Sequence, residues 1–335
     1  MNTNHYAILG AGSWGTALAM LLAKNNQPTT LWSHTQEHAK TLQHDRANKK
    51  YLGNIVFPEA LKVSADLIAT VKQATRILMV VPSDAFRQTC KTLVPLLEPQ
   101  HKIAWASKGL EIDSSKLLHQ IAKEEFSPAT PLAVLSGPTF AKEVANGLPG
   151  AVTIASTKKD FALELAKDCH SQTFRAYTST DVIGVELGGA VKNVMAIAAG
   201  IADGLGFGSN SRAALIARGV AEMMRLGLKL GAQHDTFMGL TGLGDLVLTC
   251  SDNQSRNRRF GLALGKGQTQ QQALDEIKQV VEGRLTAKAV YNLAMQHQIE
   301  MPITEQVYNV LYEGLDPAVA AKNLMERAVR AETDG

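Results

Sequence analysis

The sequence predicts an α/β protein in two parts: an N-terminal Rossmann-type, doubly wound, mostly parallel sheet followed by an all-α C-terminal domain. Three observations carry this. A strand runs into a helix through closely spaced glycines near the start; short apolar runs alternate with helical stretches up to about residue 180; beyond that point only helical patterns recur. Length agrees, since 335 residues are more than one compact core usually holds. The expected division is 1–184 and 185–335.

The first element is the strand Tyr6, Ala7, Ile8 and Leu9 in "HYAILGA", and the first helix lies in "GSWGTALAMLLAKN", with Ala17, Leu18, Leu21 and Leu22 on its buried face. Between them stand Gly10, Gly12 and Gly15. Gly10 permits the tight turn, Gly12 lets a pyrophosphate approach the backbone, and Gly15 lets the helix pack closely on the sheet. The free amides and positive dipole end of the new helix favour a phosphate pair. The plain alternative is a merely structural glycine turn. In this strand–turn–helix setting the reading is a dinucleotide-binding domain over 1–184.

The second strand, "TTLWSH", ends about twenty residues after the glycines, where NAD sites carry an acid on the adenosine ribose. Here that place holds Ser33 and His34, with no carboxylate before Glu37. A 2′-phosphate meets no repulsion there, and both side chains can hydrogen-bond it. The cofactor is therefore expected to be NADP or NAD, with NADPH accepted and preferred. His34 as a plain solvated residue is the alternative.

The remaining strands are expected in "ATRILMVVP", "HKIAWASKG", "PLAVLSGP", "GAVTIAS" and "TFRAYTS", mostly short continuous apolar runs suited to a sheet buried on both faces. Helices fall between them, as in "SSKLLHQIAKEEF" and "KKDFALELAKDC". From Asp181 the chain reads as helices: "VIGVELGGAVKNVMAIAAGIADGL", "SRAALIARGVAEMMRLGLKLG", "TQQQALDEI", "LTAKAVYNLAMQH", "ITEQVYNVLYEG" and "PAVAAKNLMERAVRA". The helical part, 185–335, is expected to bind substrate, at a cleft beside the cofactor domain.

Composition excludes several classes. With 45% apolar and 19% charged residues the chain is an ordinary globular one, and a net charge of +3 is too small and dispersed to argue for nucleic acid. Cys90, Cys169 and Cys250 are an odd count without C-x-x-C spacing, which fits a reducing compartment. The start "MNTNHYAIL" has no charged region before a long apolar stretch, so no secretory signal is expected. "GGAVKNVMAIAAGIADGLG" carries Lys192, Asn193 and Asp203 and reads as a buried helix, so no stable membrane insertion is expected.

Candidate chemistry sits at strand ends and in the helical part. Lys108 in "ASKGLE" and Gly137, Pro138 and Thr139 in "LSGPTFAKEVANG" each follow a strand; the alternatives are a solvated lysine and a proline turn that starts a helix. Lys192 lies among Gly188, Gly189, Ala190, Val191, Val194, Met195 and Ala196, where a charged amine is costly unless it has a partner or a task, or snorkels to solvent. Gly239, Gly242 and Gly244 around Asp245 predict an irregular, close-packed loop, and Asp245 can partner a lysine. Ser255, Arg256 and Asn257 at the start of "RRFGLALG" offer a phosphate grip of hydroxyl, guanidinium, amide and backbone amides, against the alternative of a solvated basic turn.

With these stretches in hand, the chain closely resembles the bacterial NAD(P)-dependent glycerol-3-phosphate dehydrogenases, over "GAGSWGTALA", "VVPS", "SKGLE", "SGPTFAKEVANGLP", "GGAVKNVMAIAAGIADGLGFG", "GLTGLGDLVLTC" and "SRNRRFG". "GPTFA-x-E", "VKN" and "SRN" in this order are the specific part. The resemblance implies NAD(P)H-dependent reduction of dihydroxyacetone phosphate to sn-glycerol 3-phosphate, which supplies glycerophospholipid synthesis. It implies Lys192 as general acid/base, and Lys108, Gly137, Thr139, Asp245, Ser255, Arg256 and Asn257 as further substrate contacts. For the cofactor it implies Ser13, Trp14, His34, Lys108, Ala141, Arg256, Val280 and Glu282, beside Gly10, Gly12 and Gly15 of the turn. Thr139 stands where many relatives carry Ser, and His34 where others often carry Arg.

The chemistry agrees. Lys192 can protonate the oxygen on which hydride transfer builds charge; Lys108 would lower its pKa, and Asp245 would orient it and partly oppose that shift. No metal is required, and no clustered ligands for one are expected. Two rivals remain: a ketopantoate or β-hydroxy-acid reductase, whose substrate has no phosphate for the "SRN" grip, and a non-catalytic dinucleotide-binding redox sensor. The expected partner is a small phosphorylated ketone or alcohol, the expected location the cytoplasm, and the long apolar helices favour a homodimer.

Overall fold

Eight strands form one sheet in the computed structural model, which describes residues 4–329 and 331–332. They are β1 (Tyr6–Leu9), β2 (Thr29–Trp32), β3 (Leu61–Ser64), β4 (Arg76–Met79), β5 (Lys102–Trp105), β6 (Leu132–Ser136), β7 (Gly150–Ala155) and β8 (Phe174–Ser179). The spatial order is β3-β2-β1-β4-β5-β6-β7-β8. Every neighbouring pair is parallel except β6 and β7. The order reverses direction at β1, flanked by β2 (Ile8 opposite Leu31) and by β4 (Ile8 opposite Leu78). At such a switch point the connections leave to opposite sides and open a crevice beyond the strand ends, where the glycine turn lies.

The central strands form because their runs are apolar on both faces: Tyr6–Leu9 and Arg76–Met79 are buried throughout. β3 lacks such a run and was not expected. Only Leu61 and Val63 of "LKVS" point inward while Lys62 is exposed, the alternation of an edge strand. At the other edge β8 is exposed at Arg175, Tyr177 and Thr178. The Ser13–Lys24 helix lays Leu18, Met20 and Leu22 into an apolar cluster with Ile8, Leu31, Ala104, Val152 and Phe161. Each fully buried side chain of the larger kind contributes about 1.5–3 kcal/mol.

Two compact units result. The chain up to Ser107 with His119–Val182 forms the first; Lys108–Leu118 with Ile183 onward forms the second. Lys108–Leu118 lies inside the span read from sequence as the first domain. It joins the second unit because Leu110 and Leu117, bridged to one another, belong to that unit's apolar cluster.

The second unit is built on the 23-residue helix Val182–Gly204, buried from Gly184 to Ala202. It is the one helix among the described residues long and apolar enough to cross a membrane, and its most apolar stretch is 89% buried within the fold. The Arg256–Gly265 helix crosses it backbone to backbone. A Cβ on Gly261 would lie 2.0 Å from the Ile197 carbonyl oxygen, and one on Gly200 2.1 Å from that of Arg258. The expected loop around Asp245 is instead helical: a wide turn over Leu240–Gly244 runs into the helix Asp245–Ser251. The close packing expected there is real, since a Cβ on Gly242 would meet the Phe237 carbonyl oxygen at 2.0 Å. The last helix covers Pro317–Met325, shorter than its sequence pattern. Residues 1–3, 330 and 333–335, including one position of that pattern and the start of "MNTNHYAIL", lie outside the described residues.

Candidate active site

The first unit presents the glycine turn. Gly10 has φ +121°, and a Cβ on it would meet the Val80 carbonyl oxygen at 2.4 Å; one on Gly15 would meet the Gly10 carbonyl oxygen at 1.9 Å. These two glycines are therefore required by the fold itself. Gly12 is different: a Cβ there meets nothing within 4 Å. No side chain caps the helix that Gly12 precedes, so the amides of Ser13, Trp14 and Gly15 are not satisfied from within it. The Trp14 indole Nε1 is buried without an acceptor. Open space, uncapped amides and an orphaned donor at one loop fit a bound dinucleotide pyrophosphate.

Sequence reasoning missed Asn48, which fixes this loop. Fully buried, it donates from Nδ2 to the Ala11 carbonyl (3.0 Å) and to the Thr16 hydroxyl (2.8 Å), tying the turn to its helix. No motif surrounds it, and an asparagine thirty-seven positions from its acceptor leaves no local signal.

At the end of β2 the two candidate polar residues part. Ser33 is fully buried and its Oγ pairs with His38 Nδ1 at 3.2 Å, so it is not offered to a ribose phosphate as the sequence suggested. His34 is exposed. Burial, foremost, and the charges of Lys50 and His34 lower the His38 pKa, against the neighbouring Asn48 side chain, which raises it. Basic residues thus gather at this strand end. Further along the sheet, Gly137 follows β6 with its Cβ position 2.8 Å from the Ala151 carbonyl oxygen; Thr139 donates to the Gly137 carbonyl (3.2 Å), and Ala141 opens the next helix.

The second unit gathers the ionisable candidates. Lys192 projects from the Val182–Gly204 helix and donates to Asp245 Oδ1 at 2.5 Å and to the Thr249 hydroxyl at 3.1 Å. Lys108 donates to the other carboxylate oxygen, Oδ2, at 2.8 Å. Side-chain exposure is 9% for Lys192, 13% for Lys108 and 1% for Asp245, so two cations share one carboxylate out of water. Thr249 returns its own proton to the Asp245 carbonyl at 2.6 Å. It went unremarked in the sequence because it faces Asp245 only once that stretch is helical.

Burial, above all, lowers the Lys192 pKa to about 8; Asp245 opposes the shift and Lys108 adds to it. For Asp245, burial alone would raise the pKa, and the two lysines overcome it and hold the carboxyl below its ordinary value. The result is an ionised aspartate holding a lysine poised to give or take a proton near neutral pH.

The three residues expected to hold a phosphate lie together at one helix start. Ser255 caps the Arg256–Gly265 helix, its Oγ accepting from the Arg258 amide at 3.2 Å. Arg256, the first helical residue, is half-buried, and its side chain makes no hydrogen bond or ion pair among the described residues. Asn257 is largely committed: Nδ2 donates to Asn193 Oδ1 and Oδ1 accepts from the Gly283 amide, both at 2.9 Å. It joins the residue next to Lys192 to the start of the Glu282–Gln296 helix, which brings Glu282 beside the grip. Val280 precedes that helix and is 51% exposed.

A glycine-turn dinucleotide unit, together with a helical unit that holds a lysine–aspartate–lysine cluster beside a basic helix start, defines a nicotinamide-dependent dehydrogenase. Residues 5–162 match the profile for the N-terminus of NAD-dependent glycerol-3-phosphate dehydrogenase and residues 181–322 that for its C-terminus, and the chain belongs to this family of oxidoreductases. It is 54% identical to the glycerol-3-phosphate dehydrogenase [NAD(P)+] of Aeromonas salmonicida over 97% of this chain and 98% of that one. The enzyme of the same name from Pseudoalteromonas translucida is 53% identical over 98% and 99%. The crystal structure of glycerol-3-phosphate dehydrogenase from Coxiella burnetii superposes with a TM-score of 0.94 at 50% identity, covering 97% of this chain and 99% of that one. A ketopantoate reductase from Ralstonia eutropha shares the fold alone, with a TM-score of 0.60 at 14% identity.

Proposed function

We propose that this chain reduces dihydroxyacetone phosphate to sn-glycerol 3-phosphate with NADPH or NADH, and that Lys192 is the general acid. The observation that carries the reading is the buried Lys108–Asp245–Lys192 cluster, with the Lys192 pKa lowered to about 8. A nicotinamide dinucleotide, when bound, would supply the hydride that reduces the ketone carbon. As that carbon is reduced, negative charge grows on its oxygen, and Lys192 stabilises the charge and delivers a proton from Nζ. In the reverse direction the neutral amine removes the hydroxyl proton. Asp245 and Thr249 fix the direction in which Nζ points, and Lys108 adds positive charge beside the developing oxyanion.

Arg256 and the amides that open its helix hold the phosphate, so that binding energy remote from the carbonyl orients it. Gly137 and Thr139 contribute further substrate contacts. For the cofactor, Gly12 with the amides of Ser13 and Trp14 would hold the pyrophosphate; His34, just after β2 and with no carboxylate in the chain before Glu37, favours acceptance of NADPH. Lys108, Ala141, Arg256, Val280 and Glu282 complete the cofactor contacts. The product is the backbone of glycerophospholipids, and the reading includes action in the cytoplasm as a homodimer.

The experiment is initial-rate oxidation of NADPH and of NADH with dihydroxyacetone phosphate, unphosphorylated dihydroxyacetone and ketopantoate. Turnover confined to the phosphorylated ketone is expected, and Lys192→Ala should lower it by about 10²-fold or more. Turnover with ketopantoate, or an active Lys192→Ala variant, would overturn the assignment.

A further inference from the structure

Arg258 follows the three residues of the expected grip and is absent from every role assigned so far. It is 8% exposed, yet its guanidinium is fully engaged. Nε donates to the Cys250 carbonyl at 2.9 Å, Nη1 to Asn253 Oδ1 and Nη2 to Asp203 Oδ2. Asp203, 7% exposed, is held on its other side by Arg212, which donates to it from Nε and Nη2.

The destinations are what matter. Cys250 lies in the last turn of the Asp245–Ser251 helix, where carbonyls have no partner within the helix. Asn253 is in the connection that leads to the grip. Asp203 closes the Val182–Gly204 helix, eleven residues after Lys192; that is about three turns, so the two project from one face about 16 Å apart. One side chain thus spans the helix of Lys192, the helix of Asp245 and Thr249, and the helix that starts with Ser255, Arg256 and Asn257. Its own amide also satisfies the Ser255 cap. A guanidinium suits this because its planar fork reaches three acceptors in fixed directions, which an ammonium cannot do.

The geometry points to Arg258, with Asp203 as its counter-ion, as the positioning residue that sets the phosphate grip against the Lys192–Asp245 pair. This rests on the function proposed above and deepens it. None of its guanidinium bonds goes to Lys192, Asp245 or Thr249; it acts through the three helices it joins. A shift of about 1 Å between the grip and the acid would be enough to lower turnover of the phosphorylated ketone by up to about 10²-fold.

The test is the ratio of kcat/KM for dihydroxyacetone phosphate to that for dihydroxyacetone, measured on one preparation so that the folded fraction cancels. Asp203→Asn keeps the shape and removes the counter-charge; Arg258→Lys keeps the charge and loses the fork. In each the ratio is expected to fall about tenfold or more, chiefly through kcat for the phosphorylated ketone. If either variant fails to fold, the other decides. A ratio within twofold of the unmodified protein in a folded variant would overturn the inference and reduce the network to a structural tie. The unmodified protein is measured first. If it does not discriminate between the two ketones, the proposed function has failed, and that outcome is separate from the behaviour of the variants.

Discussion

Lys192 and Asp245 meet at 2.5 Å although 53 positions separate them, and the carboxylate they share with Lys108 is 1% exposed. An amine in such a place has to be matched by charge or lose its proton. Here it is partly matched, which leaves its pKa at about 8.

The pH dependence follows with a definite sign. Reduction needs the ammonium form of Lys192, so the limiting rate should hold below pH 8 and fall above it, while oxidation of the alcohol should rise through the same point to a plateau. Limiting rates measured in both directions from pH 6 to 10 check this. Two profiles without a break near 8 would remove Lys192 from the proton transfer.

Asp245→Asn should move that break downward. Asp245 opposes the lowering of the Lys192 pKa, so its loss leaves burial and Lys108 to act alone. The limiting rate should fall by about 10²-fold as Nζ loses both charge and orientation. An unchanged break in a folded variant would mean that Asp245 does not set the lysine's protonation.

Arg256→Ala tests the grip. The side chain makes no protein bond among the described residues, so its removal should leave the melting temperature nearly unchanged. Loss of a charge-assisted phosphate contact worth about 1.5–3 kcal/mol should raise KM for dihydroxyacetone phosphate about 10- to 100-fold, with dihydroxyacetone little affected. Equal effects on both ketones would count against phosphate binding there.

Gly12 and Gly15 should behave as opposites. Gly12→Ala meets open space and should leave stability within about 0.5 kcal/mol, yet weaken NADPH binding about tenfold or more, as read by fluorescence titration. Gly15→Ala drives a methyl group into the Gly10 carbonyl and should lower the melting temperature before any ligand is added. Normal NADPH affinity in Gly12→Ala would place the pyrophosphate elsewhere.

Glu222 gives a prediction about stability alone. Fully buried, it accepts from the Ile303 and Thr304 amides and the Thr304 hydroxyl at the start of the Pro302–Tyr312 helix. Burial raises its pKa from near 4.5 to about 7, against those hydrogen bonds. Between pH 4.5 and 7 the folded protein therefore holds a proton that the unfolded chain has released. The associated stability is present below pH 4.5 and lost as pH rises through 7, on the order of 3 kcal/mol. Glu222→Gln abolishes this slope and should cost more at pH 5 than at pH 8 in denaturant titrations. Equal costs at both would refute the shifted titration.

The sequence by itself determined the order of the chain: a glycine turn between strand and helix, the switch from alternating strands to helices near Asp181, and a helix start at Ser255. All are written in neighbouring residues, as apolar period, glycine spacing and capping type, so they are legible locally. It failed at β3, where two inward residues make too weak a pattern, and at Asp245, whose flanking glycines read as a loop until close packing against Phe237 and Gly188 drew them into a helical turn. It offered Ser33 to a phosphate, and the fold turned that hydroxyl to His38. Only the tertiary structure decided that Lys108 joins the helical unit, that Asn48 clamps the glycine turn, and that Lys192 is half-neutralised near pH 8. Those properties depend on burial and on charges tens of residues apart, and electrostatic matching of that kind exists only once the chain has excluded water from the site.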